Sequence, residues 1–252
     1  MNISFISAVL PVVILLIFIY RKDKYQPEPV GKLLLTFFVG CLSVIPAAFQ
    51  EGLLSGFSPS EESMPLAAGL YNGYIVAGFS EEMWKLLLLM WVIWRSRYFD
   101  EYFDGIVYAV YLSLGFACVE NVMYVFGSED PMAIAFTRGL LAVPAHFLFA
   151  VMMGYHLSLA KFDPSRRSLH LFRALLYPML MHGTYDALLM VSANLDGDEG
   201  QYAVIGVLFV VFVIFDIRMW RWGLKRIKRL QERSKEQTFD RAHPFDGFTW
   251  NL

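Results

Sequence analysis

The feature that most limits what this chain can become is the recurrence, from end to end, of apolar stretches about 20 residues long, the length an α-helix needs to cross the hydrocarbon of a bilayer. They fall near residues 2–20, 31–50, 66–94, 104–126, 132–160, 172–194 and 202–220. In lipid the backbone polar groups of a spanning segment must be satisfied without water, which favours helices. Composition agrees. Of 252 residues, 57% are hydrophobic and 17% charged, whereas a soluble domain carries roughly 25% charged residues. The expected fold is all-α, a polytopic transmembrane helical bundle of about seven spans. The first stretch lacks a basic leader and a small-x-small cleavage site before "YRKDKYQPEP", so it reads as a retained helix rather than a signal peptide.

Charge then orients the bundle. The connections "EGLLSGFSPSEESM", "GSEDPM" and "ANLDGDEGQ" together hold eight acidic residues and no Lys or Arg. The alternate ones hold "RKDK", "RSR", "KFDPSRRSLHLFR" and the tail "RMWRWGLKRIKRLQERSK". Lysine and arginine collect on the cytoplasmic side, which places the N-terminus outside and the C-terminus in the cytoplasm. Residues 1–222 read as one transmembrane domain and 223–252 as a basic cytoplasmic tail. That tail lies just inside the last span, so anionic lipid heads account for its charge and no nucleic-acid partner is expected. Trp91, Trp94, Trp220 and Trp222 read as interface residues. Cys41 and Cys118 both fall mid-span, with neither disulfide nor metal-ligand spacing.

Ionisable residues inside a membrane are costly and mark function. Here they are Glu81, Glu82, Lys85, Glu120, Arg138, His146, His182 and Asp186. Measured from the inner end of each span at the helical rise, Glu81 lies about 20 Å in, Glu120 about 24 Å, His146 about 21 Å, His182 about 15 Å and Asp186 about 21 Å. Four helices deliver acids and imidazoles to one layer, at or just outside the midplane, which points to a single site. Glu81 and Glu82 share a helix face with Lys85, and His182 shares one with Asp186. Gly69, Gly73 and Ala77 form a small-residue ridge at four-residue intervals, of the kind that lets helices approach closely in lipid, so the carboxylate face points into the bundle. Glu82 with Lys85 reads equally as a structural ion pair, and Asp186 equally as an orienting group for His182. Arg138, near the outer interface, reads as a snorkelling side chain. His156, His170 and His243, at the membrane edge or beyond it, read as solvated.

A buried carboxylate beside a cation or imidazole can act as a general base on water, and donors aimed at a developing oxyanion complete a hydrolase. There is no Gly-x-Ser-x-Gly elbow and no His-Glu-x-x-His pair. A transporter or channel also places acids and histidines mid-membrane, but the inverted repeats and broken helices of many transporters are missing from the sequence. A metal-dependent membrane hydrolase is a further reading.

The blocks "EEMWK" at 81–85, "FACVEN" at 116–121 and "HGTYD" at 182–186, with His146 between the last two, resemble the signature set of the PrsW family. These are bacterial intramembrane proteases in the wider group of the CAAX prenyl endopeptidases. "RKDKYQPEP" after the first span also resembles a family segment, so the likeness covers most of the chain in order. The resemblance implies a multi-pass enzyme of the bacterial cell membrane. It would make the first, extracytoplasmic cut in a single-span membrane protein such as an anti-sigma factor, and a second intramembrane protease would act downstream. It further implies Glu81 as general base helped by Glu120, His182 with Asp186 steadying the oxyanion, Lys85 holding Glu82, and His146 as a polar wall or proton carrier. Phe116 and Asn121 match the pattern as supporting residues. The prenyl endopeptidases carry histidine at the position of Glu120, and asparagine is common at that of Asp186. The resemblance implies no cofactor. Zinc, which takes nitrogen and oxygen ligands, suits the same donors, with Glu82, Glu120, His146 and His182 as the ligand set.

Overall fold

The computed structural model describes residues 3–195 and 199–242; His243, the rest of the tail and residues 196–198 lie outside the described residues. The described chain is helical, with no strand: α1 (Ile3–Lys22), α2 (Val30–Ser55), α3 (Pro65–Tyr71), a π-helical segment (Asn72–Phe79), α4 (Ser80–Ile93), α5 (Asp104–Phe126), α6 (Pro131–Leu140), α7 (Ala142–Phe162), a single 3-10 turn (Pro164–Arg166), α8 (Arg167–Ala193) and α9 (Glu199–Ala242). Five stretches are long and apolar enough to cross a membrane by themselves: α1, α2, α5, the rod Pro131–Phe162 and Gly200–Ala242. The other two expected spans are also helical, Pro65–Ile93 as three consecutive pieces and α8 as one.

Where each helix sits follows from where its apolar residues lie. A helix apolar on every side belongs in the interior, and α5 and α7 are buried along most of their length. Around them, α2 turns Leu34, Phe38, Leu42, Ile45 and Phe49 outward, an exposed apolar stripe at helical spacing. In water such a stripe is an aggregation surface; in a bilayer it is the lipid face. Helices α2 and α5 touch backbone to backbone. A Cβ on Gly40 would fall 1.9 Å from Leu112 O, and one on Gly115 would fall 2.1 Å from Phe37 O. Close approach of this kind drives association in lipid, where the hydrophobic effect between helices is weak. Cys41 and Cys118 are free thiols on these two helices.

The basic end of the bundle is closed by a polar cap. Asp23 accepts from the Glu28 amide at 3.0 Å, and the Tyr108 hydroxyl donates to Glu28. Asp104 accepts from the amides of Asp100 and Glu101 at 2.9 and 2.7 Å. Helix α9 runs without a break past residue 222, and its second half docks on this cap. Ser234 Oγ accepts from the Phe103 amide at 2.9 Å, and Gln237 Nε2 donates to Asp100 O at 2.9 Å. The "RKDKYQPEP" segment therefore serves the end of the bundle opposite the acidic connections.

Candidate active site

The π-helical segment sets the position of the carboxylates. It leads directly into α4, whose first turn carries Glu81 and Glu82. The small-residue ridge packs on α8, but through Gly69, Gly73 and Gly78 rather than Ala77. A Cβ on Gly69 would lie 2.8 Å from Val191 N, one on Gly73 2.6 Å from Ala187 N, and one on Gly78 3.0 Å from Gly183 N. The spacing stretches from four to five residues because a π-turn bonds residue i to i+5. Ala77 is left lining a cavity. The same wide turn brings Glu81, Glu82 and Lys85 all inside, with exposures of 5%, 0% and 0%.

Lys85 is the hub. An ammonium has three donors and no acceptor, and each donor has a partner: Glu81 Oε2 at 2.9 Å, Glu82 Oε1 at 2.8 Å and His146 Nδ1 at 3.2 Å. The Phe116 ring lies 4.0 Å from the same nitrogen, a cation–π contact worth more in a desolvated site. Because Lys85 only donates, His146 Nδ1 must accept. Its proton is then on Nε2, which donates to Glu120 Oε2 at 2.8 Å. His146 is thus a neutral ring held in one tautomer between α4 and α5.

Glu120 is held from its other side by Arg138, 3.1 Å away, and Arg138 Nε also donates to Asn121 Oδ1 at 3.1 Å. The Arg138 side chain does not snorkel to the interface. A carboxylate in the bundle is the stronger attraction, and the Tyr124 ring supports the guanidinium at 3.9 Å. Asn121 in turn donates to Ala8 O at 2.6 Å, tying α5 to α1. His182 is gripped at both edges, Nδ1 by Glu82 Oε1 at 2.9 Å and Nε2 by Asp186 Oδ2 at 3.1 Å. Ionised carboxylates only accept, so the ring donates from both nitrogens and carries positive charge. Phe149 stacks on it at 4.7 Å.

A cavity of about 970 Å³ opens beside this cluster. Glu81, Glu120, His146, His182 and Asp186 line it, while Glu82 and Lys85 do not; they stand behind the wall. Its rim includes Ser55, Glu61, Ser128 and Asn194, from the acidic connections and adjoining helix ends. All six expected acid and imidazole residues, Glu81, Glu82, Glu120, His146, His182 and Asp186, meet in one place. His156 and His170 do not; rather than being solvated, both are buried and stack on each other at the basic end. Two lining residues went unseen in the sequence, Glu51 and Tyr185, and Arg138, read there as snorkelling, lines the cavity as well. Glu51 sits at the last turn of α2, where it reads as part of the acidic connection. A tyrosine three residues from His182 carries no signal of its own.

The ligand atoms of Glu81, Glu82, His146 and His182 all lie within 4.8 Å of one another. Their nitrogen and oxygen donors are of the kind zinc takes, and Glu82 Oε2 is buried without a partner. These four would hold a metal ion once His182 gives up a proton and Lys85 Nζ withdraws from Glu81, Glu82 and His146. The set differs from the expected one by having Glu81 for Glu120.

Residues 28–215 match the family model described as PrsW family intramembrane metalloprotease. The chain is 34% identical over 239 residues to Protease PrsW of Clostridioides difficile (strain 630), covering 93% of this chain and 94% of that protein. It is 34% identical over 224 residues to Protease PrsW of Bacillus subtilis (strain 168), covering 88% and 93%. Protease PrsW of Geobacillus kaustophilus (strain HTA426) is 33% identical over 235 residues, covering 93% and 95%. No solved structure matches it. With its long apolar helices and a buried cluster of carboxylates and imidazoles beside a cavity, the chain belongs to the PrsW family of intramembrane proteases and is a multi-pass bacterial membrane peptidase.

Proposed function

We propose that the chain crosses the membrane seven times with its N-terminus outside, and that it makes the first, extracytoplasmic cut in a single-span membrane protein such as an anti-sigma factor. A second intramembrane protease then continues on the product. The observation that carries the chemistry is the division of the glutamate pair. Glu81 faces the cavity, whereas Glu82 and Lys85 stand behind it. Glu81 takes a proton from a water in the cavity as that water attacks the scissile carbonyl, and delivers it to the leaving amine. Its carboxylate is held by Lys85 at 2.9 Å, which fixes its orientation. His182 steadies the developing oxyanion by its positive charge and by sharing with it the Nε2 hydrogen that Asp186 holds at the cavity wall. Glu120, fixed by Arg138, holds His146 against Lys85 and keeps that wall in register. The acidic rim favours a cut on the outer side.

A second reading gives the same four residues a zinc ion, favoured by their clustering and by Glu82 Oε2. A zinc held by Glu81, Glu82, His146 and His182 supplies Lewis acidity toward a carbonyl oxygen or a water. Two measurements test these readings. In proteoliposomes with a purified single-span anti-sigma factor, Glu81→Ala and His182→Ala lower cleavage by about 10²- to 10⁴-fold, the range for general base and oxyanion groups. Fragment masses then place the cut on the extracytoplasmic side. Wild-type rates in both variants, or a cut on the cytoplasmic side, would overturn the proposal. Elemental analysis of active and chelator-treated enzyme separates the mechanisms. Stoichiometric zinc required for activity selects the second reading.

A further inference from the structure

At the basic end, a second cavity of about 660 Å³ lies between α7, α8 and α9, and none of the site's glutamates lines it. Arg166, Arg173, Arg226, Arg229 and Arg233 line it, against one carboxylate, Asp163. Among the described residues none of the five has a carboxylate within 4.0 Å. The ion pairs formed by arginines there are those of Arg138 and Arg241. Two polar atoms of the lining are buried without a partner, Arg226 Nε and His156 Nε2. Arg226 leans on the Tyr155 ring at 4.7 Å, which holds its position but leaves its charge uncompensated. Five guanidinium groups converging on one open volume with a single carboxylate favour an anion joining them, and the planar guanidinium suits phosphate oxygens.

The other end of the cavity is apolar. Met152, Leu180, Met181 and Phe215 carry it up the bundle to Thr184. The far side of α9 from the cavity exposes Val210, Val213, Ile214 and Ile217, an apolar face of the kind lipid tails cover. Trp222, Tyr155 and Tyr177 line the cavity at the level where aromatic residues mark the membrane interface. A free phosphate would satisfy the arginines and leave the apolar half empty. An amphiphile with an anionic head fills both halves. Basic pockets between transmembrane helices hold such headgroups in general.

We propose that this cavity is a binding site for an anionic phospholipid drawn from the leaflet on the arginine side. The phosphate sits among Arg173, Arg226, Arg229 and Arg233, and the acyl chains lie along α8 and α9. The lipid thereby joins α9 to the face of α8 formed by Met181 and Thr184, the neighbours of His182. Thr184 Oγ1 also meets Tyr74 OH at 2.7 Å, so the helix that carries His182 is braced by the π-helical segment on one side and by lipid on the other.

The test is native mass spectrometry of the full chain released from nanodiscs of equal phosphatidylglycerol and phosphatidylcholine content, which reads binding independently of proteolysis. Wild type retains phosphatidylglycerol in preference to phosphatidylcholine. The triple variant Arg226→Gln, Arg229→Gln, Arg233→Gln loses about tenfold or more of that retention, the consequence of losing even one charge-assisted hydrogen bond. Leu180→Trp, which narrows the apolar half and leaves the arginines in place, loses it as well and guards against misfolding of the triple variant. Equal retention of both lipids by wild type, or unchanged retention in both variants, overturns the proposal. So does displacement of the lipid by millimolar inorganic phosphate, which would mark a small-anion site.

Discussion

Lys85→Met is the perturbation whose size the structure fixes best. Lys85 Nζ is fully buried and bonds Glu81 Oε2 at 2.9 Å, Glu82 Oε1 at 2.8 Å and His146 Nδ1 at 3.2 Å. Methionine fills nearly the same volume, so no large cavity forms and the loss is electrostatic. Removing one partner of a buried ion pair costs about 3–5 kcal/mol, because the other charge stays buried and uncompensated. Here two adjacent carboxylates are left, though His182 still holds Glu82 at 2.9 Å. For a chain of this size about 3–5 kcal/mol corresponds to a drop in Tm of roughly 6–20 °C. Thermal unfolding in one detergent, followed by tryptophan fluorescence, reads it. The double variant Lys85→Met, Glu81→Gln removes the orphaned carboxylate and leaves the Glu82–His182 pair intact, so it regains most of the lost Tm. Neither variant cleaves substrate. A Lys85→Met protein that unfolds within about 2 °C of wild type would refute the reasoning, since a buried ammonium with three bonds cannot be that dispensable.

Further expectations follow from other parts of the molecule. Gly73→Ala places a Cβ 2.6 Å from Ala187 N, backbone that cannot step aside, and costs about 1–3 kcal/mol with loss of cleavage. Gly206→Ala, where a Cβ meets nothing within 4 Å, leaves Tm and rate unchanged within about 0.5 kcal/mol. Arg138→Gln frees Glu120 on one side, and the resulting shift of His146 lowers the cleavage rate about 10- to 100-fold while Tm changes little. At the basic cap, burial pushes the carboxyls of Asp23, Glu28 and Glu101 up to about 6, 7 and 8. The folded chain therefore keeps protons that the unfolded chain releases near pH 4, so the cap's stability is full below that pH and is lost as pH rises through 6 to 8. Hydrogen exchange at residues 23–28 and 99–103, corrected for intrinsic rates, is faster at pH 8.5 than at pH 5.5; the opposite order would refute the assignment.

The bundle and the core of the site were legible because lipid enforces strict rules. Spans must be apolar for about 20 residues, so charges inside them stand out, and depth counted along each helix brought Glu81, Glu120, His146, His182 and Asp186 to one layer. Features that depend on contacts between helices were not legible. The π-helical segment at Asn72–Phe79 moved the ridge from Ala77 to Gly78, a one-residue shift that a regular period misses. Arg138 reads as snorkelling because the sequence gives its depth but not its neighbour, Glu120. Glu51 hides at the end of an apolar run, where acids are common on the solvent side. The cap of Asp23, Glu28 and Asp104 joins segments that are distant in sequence, and the arginine-lined cavity combines α8 with α9; neither leaves a local pattern.

The central claim is that Glu81, the glutamate that faces the cavity, activates the attacking water. The most direct measurement is the cleavage rate of a single-span substrate by Glu81→Gln enzyme in proteoliposomes, beside Glu51→Gln, another cavity-lining carboxylate, as the control. Glutamine keeps the shape and a hydrogen-bonding oxygen but cannot take the proton. The account predicts a loss of at least about 10²-fold for Glu81→Gln, an unaltered fold, and near wild-type cleavage for Glu51→Gln. Cleavage by Glu81→Gln at the wild-type rate would contradict it.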